Sequence, residues 1–578
     1  MKQPFRYFLP LLILTALGCK QITLVNISTD KSVYNPGDIV SFTIDKDLPA
    51  SARIRYRHLD QTINVVSYSS RTWTWQPPKT DFKGYLVDLY SLDNGIENIH
   101  GSIAVDVSSD WTVFPRYGFL SGFPQLTSTD MDNTIKNLSR HHINGLQFYD
   151  WSEKHHKPLA GTVATPSDNW LDIANRPTYK STVQGYITRA HDAGMKTMSY
   201  NLCYGALNDA SADGVKDTWY MYKDVTHTNK ADFDVPGFLK SPIYALDPSN
   251  SSWQKYIAAA NTNMYAVYNF DGYHIDQLGN PWGSVYNYTG MPINLANSFH
   301  PFIQAMKTMN PDKRLVFNAV NQFGQQGSIA TAPVDFLYTE VWSPNDNYFD
   351  LATIILNNNT YSSNTKKTVL AAYMNYNKAN SGGAFNTPSV LYTDAVIFAF
   401  GGAHVELGEH MLAQEYFPNA NLQMPDDLKN SLVNYYDFSV SYQNLLRSGG
   451  TFNNPIIAVP GNSYSISNWP PQIGPQEGPM GGKIYVVGKQ VGNKQILHLL
   501  NFLNNTQDWR DTDGNKIAPT TKTGFKLSYT TTQTVSKIWF ASPDINFGVA
   551  RELTFQRTGN TVTFTIPFLR YWDMIVVE

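Results

Sequence analysis

Residues 251–278 read SSWQKYIAAANTNMYAVYNFDGYHIDQL. Trp253, Tyr256, Ile257, Ala260, Met264 and Val267 recur at three- and four-residue spacing, which is one face of a helix. After a short turn, Gly272-Tyr273-His274-Ile275-Asp276-Gln277-Leu278 reads as a buried strand with a carboxylate near its end. A helix followed by an apolar strand is the repeating unit of a parallel α/β sheet. The same rhythm extends outward on both sides. Strand-like runs occupy 118–123, 145–151, 196–202, 272–278, 315–320, 336–341, 369–373 and 403–407. Helical patterns separate most of them. One opens at Thr387-Pro388, a cap residue followed by proline at the first helical position. Eight such strands within residues 113–449 predict a (β/α)8 TIM barrel with long loops. An open doubly wound sheet is the alternative, but no glycine-rich fingerprint follows the first strand.

On either side of this segment the pattern is all-β. In residues 20–112, Val40-Ser41-Phe42-Thr43-Ile44 and Thr72-Trp73-Thr74-Trp75 alternate apolar with polar, and Pro36-Gly37 and Pro77-Pro78 break the runs. Short strands with turn signals predict an immunoglobulin-like β-sandwich. A helical pattern over 426–448 ends at Gly449-Gly450, and a Pro/Gly-rich run at 470–482 reads as a surface loop. Residues 450–578 return to strands, with turn pairs at Gly492-Asn493, Asp513-Gly514 and Gly559-Asn560. A second, C-terminal β-sandwich is expected there.

The chain has 578 residues, a formal charge of −3, only 16% charged residues and 13% aromatics. Disordered chains are charge-rich and aromatic-poor, and nucleic-acid binders show basic patches, so both classes are disfavoured. Low charge with many Tyr, Trp and Asn suits a neutral polar partner such as a sugar. Residues 1–19 carry Lys2 and Arg6 ahead of a short apolar run, the pattern of a secretory signal too short to span a bilayer. Ala16-Leu17-Gly18-Cys19 resembles a bacterial lipoprotein signal, in which the cysteine is lipidated; ordinary cleavage after Gly18 is the alternative. The expectation is an exported cell-envelope or surface lipoprotein, otherwise a secreted monomer, touching membrane only through that anchor. Cys203 has no partner for a disulfide and reads as buried and inert.

Catalytic groups of such a barrel gather at the C-terminal ends of the strands. Asp276 and Glu340 stand at two of those ends, and glycoside hydrolysis needs such a pair: one ionised carboxylate and one carboxylic acid. Tyr338 and Trp342 beside Glu340 would supply apolar walls. Asp150 closes another run, ahead of His155-His156. Adjacent histidines point apart, and no spaced third ligand accompanies them, so no metal is expected. The word HVELGEH at 404–410 is not H-E-x-x-H, and hydrogen bonding to sugar hydroxyls suits it better. Asn201 and Asn318 sit at further strand ends, as sugar ligands or as loop caps. There is no P-loop, cysteine cluster or G-x-S-x-G elbow, and no cofactor is expected.

Several long words occur in order: GLQFYDW (145–151) with HHKPL (155–159), SYNLCYGA (199–206), FDGYHIDQLG (270–279), DFLYTEVW (335–342), GAHVELGEHML (402–412), EYFPN (415–419) and LRYWDMIVVE (569–578). On these words the chain resembles glycoside hydrolase family 66, the dextranases and cycloisomaltooligosaccharide glucanotransferases, over essentially its whole length. The resemblance implies an immunoglobulin-like domain, a (β/α)8 barrel and a Greek-key β-sandwich. It implies retaining endo-hydrolysis of α-1,6-glucan (dextran) to isomaltooligosaccharides, with Asp276 as nucleophile and Glu340 as acid/base. It further implies sugar contacts from Asp150, His155, Asn201, Tyr204, His274, Trp342 and Glu406. Cyclising members carry a carbohydrate-binding module inserted in the barrel, for which the loops here are too short. Hydrolysis is therefore favoured over cyclising transfer, and both over a non-catalytic glucan-binding lipoprotein, since both catalytic words are intact.

Overall fold

The computed structural model describes residues 22–233, 237–415, 419–461, 465–468 and 482–578. The expected leader with Cys19, and residues 470–481 of the Pro/Gly-rich run, lie outside them. Among the described residues no helix is long and apolar enough to cross a membrane.

Eight strands form one parallel sheet: β1 Tyr117–Leu120, β2 Gly145–Phe148, β3 Lys196–Leu202, β4 Gly272–Asp276, β5 Arg314–Asn318, β6 Leu337–Glu340, β7 Thr368–Ala371 and β8 Ala403–His404. Each pairs with the next in chain order. Phe119 N–H donates to Leu407 O at 3.1 Å, joining the first strand to the segment after the last. The sheet is thus a nearly closed barrel, not an open doubly wound one. Most strands end one to three residues before the predicted limit, because those residues have left the ladder to start the loops that carry the site.

The outer layer holds α1 Ser128–Arg140, α2 Lys180–Asp192, α3 Ser251–Tyr265, α4 Leu295–Met309, α5 Tyr348–Tyr361, α6 Thr387–Ala399 and α7 Asp426–Ser441. Between β5 and β6 a 3-10 turn (Val320–Gln322) and a π turn (Gln325–Ile329) stand where a helix would be. The cap of α6 is Asn386, one residue before the predicted Thr387: its side chain accepts from Ser389 N at 2.9 Å, which places Pro388 second in the helix. The predicted helix over 426–448 breaks at Tyr442 and resumes as α8 Gln443–Leu446.

Strand side chains alternate between two environments, as the two-residue period demands. Met198, Val316, Tyr338, Val369, Ala371, Ala403 and Val405 fill the barrel interior with Tyr117 and Phe119. Their neighbours Leu146, Phe148, Leu315, Phe317, Leu337 and Leu370 pack outward under the helices. Gly272 stands where a Cβ would lie 2.1 Å from Arg314 O, so only glycine lets β4 run this close to β5.

Before the barrel, a three-stranded sheet (Ile27–Thr29, Val40–Ile44, Thr72–Trp75) faces a four-stranded one (Arg53–His58, Gln61–Ser67, Lys83–Asp93, Ile96–Val107) across a shared core that includes Phe42, Ile54, Val87 and Ile103. After the barrel, a seven-stranded and a four-stranded sheet enclose a second core. The first sandwich is bonded to α7: Asp437 accepts from Ala104 N at 2.8 Å and pairs with Arg140 and His142, each also at 2.8 Å. Cys203 is a buried free thiol.

Candidate active site

A cavity of about 290 Å³ opens at the carboxyl ends of the barrel strands. Six residues expected at the sugar line it: Asp150, His155, His274, Asp276, Glu340 and Trp342, together with Tyr338.

Asp276 ends β4, Glu340 ends β6, and Asn318 ends the strand between them. The Asn318 amide nitrogen donates to both acids, to Asp276 Oδ1 at 2.8 Å and Glu340 Oε2 at 2.9 Å. Its Oδ1 accepts the Glu340 backbone N–H at 3.3 Å, which fixes the amide with its NH2 toward the carboxylates. Acceptors on the two diverging N–H bonds of one amide sit about 5 Å apart. Retaining glycosidases hold their carboxyl groups about 5–5.5 Å apart, and inverting ones about 6.5–9.5 Å.

The two acids have different surroundings. Asp276 Oδ2 accepts a 2.5 Å hydrogen bond from Tyr200 Oη, and the Gln277 backbone N–H adds to the Asn318 bond. Burial raises its pKa, and these donors oppose the rise. Glu340 accepts from Tyr373 Oη at 2.8 Å. Burial, and then the negative charge of Asp276, push Glu340 up to about 7. The pair shares one proton near neutrality, and Glu340 holds it. One anion and one acid at this separation can attack an anomeric carbon and protonate its leaving oxygen.

Aromatic packing fixes the donor to Asp276. The Tyr200 ring stacks between Tyr149 (centroids 4.4 Å apart) and His274 (5.2 Å). Tyr117 Oη and His274 Nδ1 share a 3.1 Å hydrogen bond, and burial lowers His274 to about 3, so the ring is neutral. His155 Nδ1–H donates to Asn201 Oδ1 at 2.7 Å. Its Nε2 is left as a buried acceptor with no hydrogen-bond partner among the described residues, and burial lowers this ring to about 4. Asp150 has φ of +45°, a left-handed backbone rarely adopted by a non-glycine residue, and it lines the cavity from just past the end of β2. Burial raises its carboxyl to about 8.

Three expected sugar contacts do not line the cavity. On β3, Tyr200 and Leu202 face inward, so Asn201 faces outward. It uses both ends of its amide on His155, its Nδ2 donating to His155 O at 2.7 Å, and so positions that ring. Glu406 has the same parity fault. Ala403 and Val405 are inside, and Glu406 lies in the helix layer, accepting from Tyr436 Oη at 2.9 Å. Tyr204 is buried under the loop after β4, its hydroxyl accepting Leu278 N–H at 2.7 Å. Glu409, in the same word as Glu406, binds the chain after β1, accepting from Ser121 N and Gly122 N.

Among the described residues, two groups of side chains lie close enough to share a cation. In His156–Asp209–Asp213, Lys154 and Lys157 already neutralise Asp213 at 2.8 and 3.0 Å. In Asp394–His404–Glu406, burial raises Asp394 to about 8 and Glu406 well above the usual carboxylate range, so these acids carry protons in place of charge.

Tyr200, Tyr373 and Glu415 were not anticipated, nor was the bridge made by Asn318. Counting back by twos from Asp276 and Glu340 gives the inward parity of β4 and β6. Parallel neighbours paired in register carry that parity to Tyr200 and Asn318.

The model of glycosyl hydrolase family 66 matches residues 29–576. A cycloisomaltooligosaccharide glucanotransferase of Niallia circulans is 28% identical over 96% of this chain and 71% of its own. A dextranase of Streptococcus salivarius is 24% identical over 86% of this chain and 68% of its own. The crystal structure of a Paenibacillus sp. cycloisomaltooligosaccharide glucanotransferase complexed with cycloisomaltoheptaose superimposes with a TM-score of 0.86 at 26% identity, covering 96% of this chain and 99% of that one. With a family model spanning the barrel and both flanking sandwiches, the chain belongs to glycosyl hydrolase family 66.

Proposed function

We propose that this protein is a retaining endo-dextranase, cleaving α-1,6-glucosidic bonds by double displacement. Asp276 attacks the anomeric carbon while Glu340 delivers its proton to the glycosidic oxygen, so the C–O bond breaks as the glycosyl–Asp276 ester forms. Glu340, now ionised, takes a proton from water, whose oxygen attacks the anomeric carbon and releases Asp276. Asn318 is the observation that carries this reading. One amide donating to both acids sets the bonded oxygens about 5 Å apart, the spacing of a retaining pair. Asp150, His155 and His274 face the sugar unit at Asp276, and Trp342 stacks against the next.

Hydrolysis is favoured over cyclisation because the match to the Niallia glucanotransferase runs over 708 residues, longer than this whole chain, so that relative carries inserted residues without a counterpart here. The cyclising reading keeps support from the names of the glucanotransferase relatives. Time-resolved product analysis on dextran separates the two. A falling polymer size with linear isomaltooligosaccharides supports the dextranase, whereas cyclic products replace it with the transferase.

The N-terminal sandwich is read as immunoglobulin-like and the C-terminal one as Greek-key, flanking a catalytic barrel over 113–449. The chain is read as an exported monomer lipidated at Cys19. Detergent-phase partition lost in Cys19→Ser would support the anchor, and partition unchanged by it would remove that reading.

A further inference from the structure

A third carboxylate lines the cavity. Glu415 reaches it from the segment after β8, together with Glu340, Trp342 and Tyr373. Tyr376, which hydrogen-bonds Glu415, and Tyr373, which donates to Glu340, both contact Trp342, so Glu415 stands on the acid's side of the pair. Tyr376 Oη donates to Glu415 Oε1 at 2.9 Å. Oε2 is shielded from solvent and has no hydrogen-bond partner among the described residues. An ionised carboxylate only accepts hydrogen bonds, so this oxygen can take a donor that the described residues do not supply. A sugar hydroxyl is such a donor.

The wall beside it is built to hold a ring. Trp342 contacts Tyr373 and Tyr376, with centroids 5.3 and 5.8 Å away. The Arg510 guanidinium lies 5.2 Å from the Trp342 ring centroid and 5.5 Å from that of Trp509; burial raises the Glu415 carboxyl, and the Glu415 backbone N–H, the Tyr376 hydroxyl and the Arg510 charge oppose that rise. Arg510 belongs to the C-terminal sandwich, in a loop locked to the barrel: Asn375 N donates to Arg510 O at 3.0 Å, and Trp509 Nε1 to Asn345 O at 2.7 Å. Glu340 must touch the oxygen of the departing glucosyl unit. That ring therefore sits on the outer flank of Glu340, where Trp342 and Glu415 are.

We propose that Glu415 is the leaving-group and acceptor ligand of this enzyme, its Oε2 accepting a hydroxyl hydrogen bond from the glucosyl unit that departs from, or returns to, Glu340 while stacked on Trp342. This rests on the glucan-cleaving reading above. It makes Glu415 the residue that sets how the glycosyl-enzyme partitions between water and a sugar hydroxyl.

The test compares wild type, Glu415→Gln and Tyr376→Phe on two substrates at pH 6, below the titration of Glu340 and above the ordinary carboxylate range that burial raises at Glu415. Dextran must place a ring at Glu415; isomaltosyl fluoride, whose leaving group is fluoride, need not. Glu415→Gln is expected to lower kcat/KM on dextran on the order of tenfold or more, as loss of a charged hydrogen bond does. It leaves consumption of isomaltosyl fluoride within about twofold. The isomaltose concentration giving half-maximal transfer from the fluoride rises by a similar factor, which a purely electrostatic or structural role would not produce. Tyr376→Phe shows the same selectivity at smaller size, and covers the case in which Glu415→Gln fails to fold. Equal loss on both substrates, or an unchanged acceptor dependence, overturns the proposal. A wild type inert on dextran and the fluoride alike overturns the glucan-cleaving reading itself.

Discussion

At the scale of the residue, the chemistry comes down to how one proton is divided between two buried acids. Glu340→Gln removes the proton donor and should lower kcat on dextran by roughly 10²- to 10⁴-fold with unchanged melting temperature, while isomaltosyl fluoride is still consumed. In the proposed mechanism Glu340 acts protonated, and it is pushed up to about 7, so kcat/KM should fall as pH rises through about 7. Asn318 lowers the pKa of both acids. Asn318→Ala should therefore move that basic limb upward while kcat falls, and a limb that stays in place would remove the bridge from the mechanism. Asp276 and Glu340 were legible as carboxylates at strand ends. Tyr200 and Tyr373 were not, because a tyrosine in a strand reads as core until its hydroxyl is seen on an acid. Asn201 and Glu406 stand off the cavity wall for one reason: each is one residue off the inward parity of its strand.

At the scale of the element, all eight strands could be read from apolar runs, and only their ends were overextended, since an apolar residue looks the same in a ladder as in the loop just after it. What the pattern cannot give is the register between strands, which alone brings Asp276, Asn318 and Glu340 within hydrogen-bonding reach of one another. Backbone approach is equally silent in sequence. Gly205 lies against the His155 ring, and a Cβ there would come 2.8 Å from His155 Cβ. Gly205→Ala should push His155 off the cavity wall, raising KM for dextran several-fold with little change in melting temperature. A KM equal to wild type would mean that His155 does not face substrate.

At the scale of the whole molecule, the barrel is clamped by its flanking sandwiches. Asp437 on α7 joins Ala104 of the first sandwich to Arg140 and His142 of the barrel. It is buried, yet the Arg140 charge and the His142 hydrogen bond hold it down to about 2. A carboxylate depressed on folding stabilises above its unfolded pKa, and that contribution is lost as pH falls through the folded one. Asp437→Asn should cost on the order of 3 kcal/mol near pH 6 and flatten the acid limb of stability between about pH 4 and pH 2, as read by denaturant titration. Asp150 and Asp394 act with the opposite sign. Raised to about 8, they stabilise the fold at low pH and lose that contribution as pH rises toward 8. His155 and His274, lowered by burial to about 4 and about 3, stabilise the fold above about pH 6.5 and lose that contribution as pH falls, so stability should peak on the mildly acidic side of neutrality. Composition hinted at a neutral polar ligand but gave it no place; that place exists only after long-range pairing, with Arg510 reaching the cavity wall from far along the chain.

The most direct test of the central claim, that Asp276 and Glu340 act as a retaining pair, is proton NMR of the anomeric signals in the first minutes of dextran cleavage. The account predicts that new reducing ends appear first as the α-anomer, with the β signal growing only by mutarotation, and that Asp276→Asn produces neither. New ends appearing first as the β-anomer would contradict it.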